Sequence, residues 1–505
     1  MLIIGLFFIL VTRITYAYLA PVINDAQTNV VGSTDTVDDF KFELGNPLKI
    51  NATPTTLKEN GSNYTTSTTA KALLKANSTK KTATYNYYVY FQIKSNTFTY
   101  SDGSTPEIIL TVTNPNGDEI TSIDGLTYGT FNGVSGFDIT TKKGLFNIAN
   151  NHEITSNSST SYTTQSWTIK ITYLNLSIDQ STNFGNSMGV NVYITKNEKK
   201  LTVADVCSNG QTLSSCIIAM DGKDDTLYHH TSSLANGAGD NSYRYAGANP
   251  NNYVCFGSGA STCPEDNLYR IIGVFGNQVK LIKATIAKSN LLGTAGAYVS
   301  DTTYEWSSLI SCPSSTAYNS SNGIYQLANK NIIAAPEDGG CDEWNYSDLN
   351  TTNLNTNFIK NIRTIWAEKI ATTTWKVGGN TMASVPATTY QYEIGSSASS
   401  KTHDAKIGLM YVSDYGFAAD QSAWTTKLDS YKSNVSKNWL YLGLDEWTIS
   451  RDSSYSGYAF RVYNDGDVYG YNVNSGYGVR PSFSLLSSIT YVSGSGSMSD
   501  PVRIN

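Results

Sequence analysis

Apolar residues recur at every second position through the first part of this chain. Tyr85, Tyr87, Val89, Phe91 and Ile93 form one run, and Ile108, Leu110 and Val112 a second. Trp167, Ile169, Ile171 and Tyr173 follow, then Met188, Val190, Val192 and Ile194. A period of two sets one group of side chains on one face of a strand. Turn formers such as Asn114-Pro115-Asn116-Gly117 separate the runs. The pattern predicts an antiparallel β-sandwich or jelly roll over 18–197, without a helix of useful length.

The second part mixes periods. LYRIIGVFGNQVKLIK at 268–283 reads as a hairpin with Gly276-Asn277 at its tip. Leu354, Phe358, Ile362, Ile365, Trp366 and Ile370 recur at three- and four-residue steps, which predicts a helix capped by Asp348 or Thr351. Residues 381–404 read as loop, and KIGLMYVSDYGF at 406–417 as a strand. Three aromatic strand patterns then run from Trp439 to Leu485, with a turn at Asn464-Asp465-Gly466-Asp467 where Asp-Gly supplies positive backbone angles. Ile489–Val492 and Val502–Ile504 bracket a long hairpin loop, SGSGSMSDP. The expected organisation is a leader at 1–17, a β-sandwich at 18–197, a linker at 198–216 and an α+β domain at 217–505. The fold class is mainly β.

With 505 residues, more than one core is expected. Charged residues are only 15% of the chain and the net charge is -6. Nucleic-acid binding, which needs a basic stripe to displace counterions, is therefore not expected. The six cysteines fall as close pairs in order: Cys207 and Cys216, Cys255 and Cys263, Cys312 and Cys341. An even count in an exported chain favours disulfides, although six cysteines permit fifteen connectivities. Sequential pairing is the preferred reading, and a zinc site is the alternative.

LIIGLFFILV at 2–11 is too short to span a bilayer comfortably and fits the apolar region of a signal peptide cut after Ala17. An uncleaved anchor is the alternative; with cleavage, the mature form has no membrane segment. The TYAYL stretch at 15–19 resembles the signal-peptide ends of the camelysin/TasA family of Gram-positive biofilm-matrix proteins. That resemblance implies a jelly-roll fibre subunit which self-associates by donating its freed first segment, here Tyr18 to Val31, to a neighbour's sheet edge. The element order after residue 217, ending in Gly478-Val479-Arg480-Pro481, resembles C-type-lectin-like and formylglycine-generating-enzyme-like modules of Firmicutes surface proteins. No cysteine follows Cys341 and no lectin-type calcium ligands occur, so oxidase activity and calcium-dependent sugar binding are not implied.

Sites for chemistry are sparse. His152-Glu153 lacks the second histidine of a zinc helix and reads as a loop. Asp221-Gly222-Lys223-Asp224-Asp225 lacks the twelve-residue calcium pattern. His229 and His230 point opposite ways on a strand, which suits a surface or interface role better than ligation. Gly185-Asn186-Ser187-Met188-Gly189 matches a nucleophile elbow by letter, but a strand pattern follows it where a helix is needed. Asp342-Glu343 and Asp445-Glu446 are the best carboxylates for hydrolysis, which needs two converging acids. The expected function is therefore a secreted, adhesin-like surface or matrix protein, without catalytic residues, metal or cofactor. Its second domain would bind a glycan or a host or matrix protein through Trp439, Trp447, Tyr455, Tyr458, Tyr469, Tyr471, Tyr477 and Arg480. A secreted glycan hydrolase and a purely structural fibre subunit are the alternatives.

Overall fold

The computed structural model describes residues 37–48, 61–309, 341–381, 384–455 and 457–505, with the backbone course alone of 17–21, 51–52, 318–319 and 324–325. The expected signal peptide lies almost wholly outside the described residues. The chain divides into two compact units, Met1–Lys200 and Leu201–Asn505. It is mainly β, in several antiparallel sheets.

The strands of the first unit are β1 (Ala17–Pro21), β2 (Asp39–Leu44), β3 (Asn51–Ala52), β4 (Tyr64–Lys75), β5 (Ala83–Asn96), β6 (Ile108–Thr113), β7 (Thr127–Phe131), β8 (Val134–Asp138), β9 (Gly144–Ser156), β10 (Thr163–Tyr173) and β11 (Ser187–Thr195). They form two sheets, ordered β3-β1-β11-β5-β9 and β2-β4-β10-β6-β8-β7. The alternating residues do what their period requires. Tyr87, Val89, Phe91 and Ile93 of one sheet and Ile108, Leu110, Val112, Ile169 and Ile171 of the other enter one shared core. β1 is the exception to antiparallel pairing: it runs parallel to β11, with Tyr18 opposite Ser187.

His152 corrects its loop assignment. It lies within β9, and its ring packs edge-on against Tyr87 and Trp167 at 5.4 and 5.1 Å. Neighbouring Asn and Ser suggested a turn, but cross-strand aromatic packing decides the position. Ser187 begins β11, so Gly185–Gly189 is a turn entering a strand.

The expected linker is also revised. Helical turns at Val203–Val206 and Leu213–Ile218 belong to the second unit, whose core includes Val203, Leu213 and Cys216. Asp205 accepts from the Thr202 backbone N–H at 2.8 Å, holding the first of these turns.

The second unit contains β12 (Leu227–His229), β13 (Tyr243–Tyr245), β14 (Tyr253–Cys255), β15 (Leu268–Phe275), β16 (Gln278–Lys283), β17 (Tyr298–Ser300), β18 (Thr303–Glu305), β19 (Tyr318–Asn319), β20 (Ile324–Tyr325), β21 (Thr373–Lys376) and β22 (Thr402–Ala405). It continues with β23 (Glu446–Arg451), β24 (Tyr458–Val462), β25 (Val468–Asn472), β26 (Gly476–Tyr477), β27 (Ser482–Ser484), β28 (Tyr491–Ser493) and β29 (Arg503–Ile504). The central sheet runs β12-β13-β15-β16-β27, with β14 also pairing β15. The β15–β16 hairpin turns at Gly276, whose φ of 61° suits its place at the tip.

Three local expectations change. The predicted long helix runs through Leu349–Phe358 and Ile359–Asn361 and is interrupted before Thr364–Ala367, where Arg363 takes φ 71°. Its apolar stripe is still buried except for Ile365. Pro386–Glu393, expected as loop, is helical with Pro386 in its first turn. Val412–Phe417, expected as strand, is a helix whose Asp414 accepts from the Tyr411 N–H at 2.9 Å.

Cys207–Cys216 and Cys255–Cys263 are disulfides, as sequential pairing predicts. Cys341 is also disulfide-bonded; Cys312 lies outside the described residues. The ends of the unit meet: the N–H groups of Gly210 and Leu213 donate to the carbonyls of Tyr491 and Ile489, each at 2.9 Å. The Cys255 N–H donates to the Val502 carbonyl at the same distance.

Candidate functional site

The three-stranded sheet β23-β24-β25 carries most of the candidate aromatic residues. Arg461 on β24 lies opposite Trp447 on β23 and Tyr469 on β25, and Ala459 lies opposite Tyr471. Directly paired residues share a face, so Trp447, Arg461, Tyr469 and Tyr471 project together. The β24–β25 connection turns at Gly466, which alone in Asn464–Asp467 has positive φ, 99°. The loop is thus longer than the two-residue turn expected from Asp-Gly.

On this face the Arg461 guanidinium sits 4.3, 4.5 and 4.6 Å from the ring centroids of Tyr477, Tyr471 and Tyr463. Such cation–aromatic packing fixes a charged group where few rotamers remain open. Arg461 is only 7% exposed, whereas Tyr469 and Tyr471 are 43% and 41% exposed. Arg461 Nη1 donates to Asp445 Oδ1 at 2.6 Å. Arg461 Nε is buried without an acceptor among the described residues. The Tyr469 hydroxyl is tied to the Asp429 carbonyl and to Asp467. Tyr455 and Tyr458 are a separate pair, 5.5 Å apart; Tyr458, next to Ala459 in the strand, projects to the opposite face. The five tyrosines therefore form two groups rather than one platform.

Three of the expected contact residues are interior. Trp439 is 4% exposed, donates its indole N–H to the Tyr245 carbonyl at 2.8 Å and stacks on Arg270. Trp447 has no exposed surface; its N–H donates to the Tyr304 carbonyl at 3.0 Å, and its ring packs edge-on to Tyr477. Arg480 donates to both carboxylate oxygens of Glu446, at 2.6 and 2.8 Å, and to the Leu440 carbonyl at 2.8 Å. Of these three, Trp447 supports the tyrosine face from within, through Tyr477. Sequence reasoning missed Arg461, although a charged residue inside an apolar strand is a signal that something must partner it.

The two pairs of adjacent acids differ. Asp342 and Glu343 both approach Arg451 Nη1, at 2.9 and 3.6 Å, and Glu343 also pairs with Lys401, whereas Asp445 pairs with Arg461 and Glu446 with Arg480. Burial pushes the Asp342 carboxyl up to about 6, against the pull of Arg451. A second charged group is wholly interior. Asp414 accepts from Lys280 Nζ at 2.5 Å and lies 3.4 Å from Arg244, which also binds Asp240 at 2.7 Å. Beside it Glu393 accepts from the N–H groups of Val412 and Ser413 and from the Ser450 hydroxyl. Burial pushes Glu393 up to about 7. These bonds fasten the Val412–Phe417 helix to the sheet.

His230, expected at a surface, is fully buried against Phe417 and Trp424, while His229 stacks on Tyr243. Burial pushes His230 down to about 3. Among the described residues no group of three or more His, Cys, Asp or Glu is placed to hold a metal. A cleft of about 590 Å³ lies elsewhere in the unit, between the Cys255–Cys263 loop, Trp366, Lys369 and Arg503.

Comparison with known proteins supplies no assignment: no family model matches the chain, and no curated protein or solved structure matches it either.

Proposed function

We propose that this is an exported surface or matrix protein whose second unit, Leu201–Asn505, is a non-catalytic ligand-binding module. The observation that carries the reading is Arg461, held among three tyrosine rings with its Nη2 unpartnered among the described residues, beneath the exposed Tyr471. A charged donor fixed by packing but left without a partner forgoes a charge-assisted hydrogen bond, and an arriving ligand supplies one. The two disulfides fit an oxidising compartment. A jelly-roll topology for the first unit and a C-type-lectin-like one for the second belong to this proposal, supported by the shared two-sheet core and the mixed α+β second unit. The test is binding of the full chain to arrays of glycans and matrix proteins. Tyr471→Ala combined with Tyr477→Ala should abolish retention with the fold intact; undiminished retention would refute the site.

Self-association through the first segment is a second part of the proposal. The motivating observation is the parallel seat of β1 beside β11, an edge that the same segment of another copy would fit equally well. Residues 22–31 of the expected donor lie outside the described residues. Deleting 18–31 should abolish assembly, measured by light scattering, while leaving the first unit folded.

A further inference from the structure

We propose that the Arg461–Asp445 pair, with Tyr471 and Tyr477, forms a subsite for an uncharged pyranose of a glycan; this rests on the binding-module reading and names its ligand class. Arg461 meets Asp445 end-on, through Nη1 and Oδ1 alone. Asp445 Oδ1 also accepts from the Asn464 N–H at 3.2 Å. Arg461 Nη2 and Asp445 Oδ2 have no hydrogen-bond partner among the described residues. Asp445 keeps 24% of its side chain exposed. An anchored donor and an anchored acceptor thus belong to one ion pair beside the Tyr471 and Tyr477 rings.

Two neighbouring hydroxyls of one sugar ring match that arrangement. One donates to the carboxylate while the other accepts from the guanidinium, and each hydroxyl can do either. Tyr471 and Tyr477, 5.8 Å apart and inclined by 68°, offer one ring face and one edge. The exposed Tyr471 ring provides the apolar surface on which the C–H face of a pyranose rests. The guanidinium and the carboxylate cancel in charge. A ligand carboxylate or sulfate would therefore meet no net positive field here and would stand against Asp445, whereas a neutral sugar meets no repulsion. Both charged groups are already fixed by packing, so binding orders little on the protein side.

The experiment presents the full chain to immobilised neutral oligosaccharides, ending in glucose, galactose, mannose or N-acetylglucosamine, and to uronate-, sialate- and sulfate-bearing ones. Retention on neutral glycans is expected. Tyr471→Ala and Asp445→Asn should each weaken it by about ten-fold or more, the size of a lost charge-assisted hydrogen bond or stacked ring, and Tyr471→Phe should keep it. Unfolding curves of each variant identify any that fail to fold; Tyr471→Ala, at an exposed position, is the control for Asp445→Asn. Selective binding of acidic glycans, lost in Tyr471→Ala, would overturn the neutral subsite but leave the module reading standing. Neutral binding indifferent to both substitutions would overturn both. Retention on matrix proteins but on no glycan would also overturn the subsite alone.

Discussion

Replacing Arg480 by Met tests whether the Trp439–Leu485 region is held together from inside. The Arg480 and Glu446 side chains are 1% and 3% exposed, and their bidentate contact is supplemented by the Leu440 carbonyl. Removing the cation leaves a carboxylate in the interior with no counter-charge, at a cost of about 3–5 kcal/mol. Eliminating both charges is far milder. Arg480→Met with Glu446→Leu should fall within about 2 kcal/mol of the unaltered chain, the remainder being the donor lost to the Leu440 carbonyl. Urea unfolding followed by tryptophan fluorescence reports chiefly on this unit, since seven of the eight tryptophans lie after residue 300. With a slope near 3 kcal/mol/M, the single variant should lose more than about 1 M in midpoint. Its deficit should also shrink as pH falls toward 5, because an unpaired Glu446 can then be protonated. A single variant within about 1 kcal/mol of the parent, or a double variant no better than the single, would refute the argument.

Two buried titrating groups act in opposite senses. Glu393 is raised from 4.5 to about 7 on folding, so its contribution is fully present below pH 4.5 and is lost as pH rises through 7. Glu393→Gln should therefore lose about 2 kcal/mol relative to the parent between pH 7 and pH 5 in paired unfolding curves. His230 is lowered from 6.5 to about 3, so its contribution is present above pH 6.5 and is lost as pH falls toward 3. His230→Gln should gain about 2 kcal/mol relative to the parent over the same interval, and a pH-independent difference would contradict its buried neutral state. Replacing Cys255 and Cys263 together by Ser opens a short loop with a sequence separation of 8 and should cost about 2.5 kcal/mol, read as a lower thermal midpoint.

Where one face of a strand meets the core, the chain announced its structure. Tyr87 to Ile93 and Trp167 to Tyr173 alternate because burial on one side leaves no other arrangement. The β15–β16 hairpin was equally plain, since Gly276 marks a turn with the positive φ that glycine adopts readily. Long-range pairing was not legible. Glu446 and Arg480 are 34 positions apart, and Lys280 and Asp414 are 134 apart; no local period connects them. Trp439, Trp447 and Arg480 consequently read as surface contacts when they are interior. The break at Arg363 had no local signal either, because arginine seldom adopts positive φ. For the proposed binding face, the sequence offered the tyrosines but not their division between two faces. That division depends on the registers of β24 and β25.

The backbone bonds from Gly210 and Leu213 to Tyr491 and Ile489, with the bond from Cys255 to Val502, set an order of events for the ribosome. Pairings that span nearly the whole unit cannot form until almost all of it has been translated. The unit therefore cannot close until about 280 residues have been made, and closure carries the loop-closure cost of such distant contacts. Closure of this unit is thus a late step, set by its last strands rather than by its first.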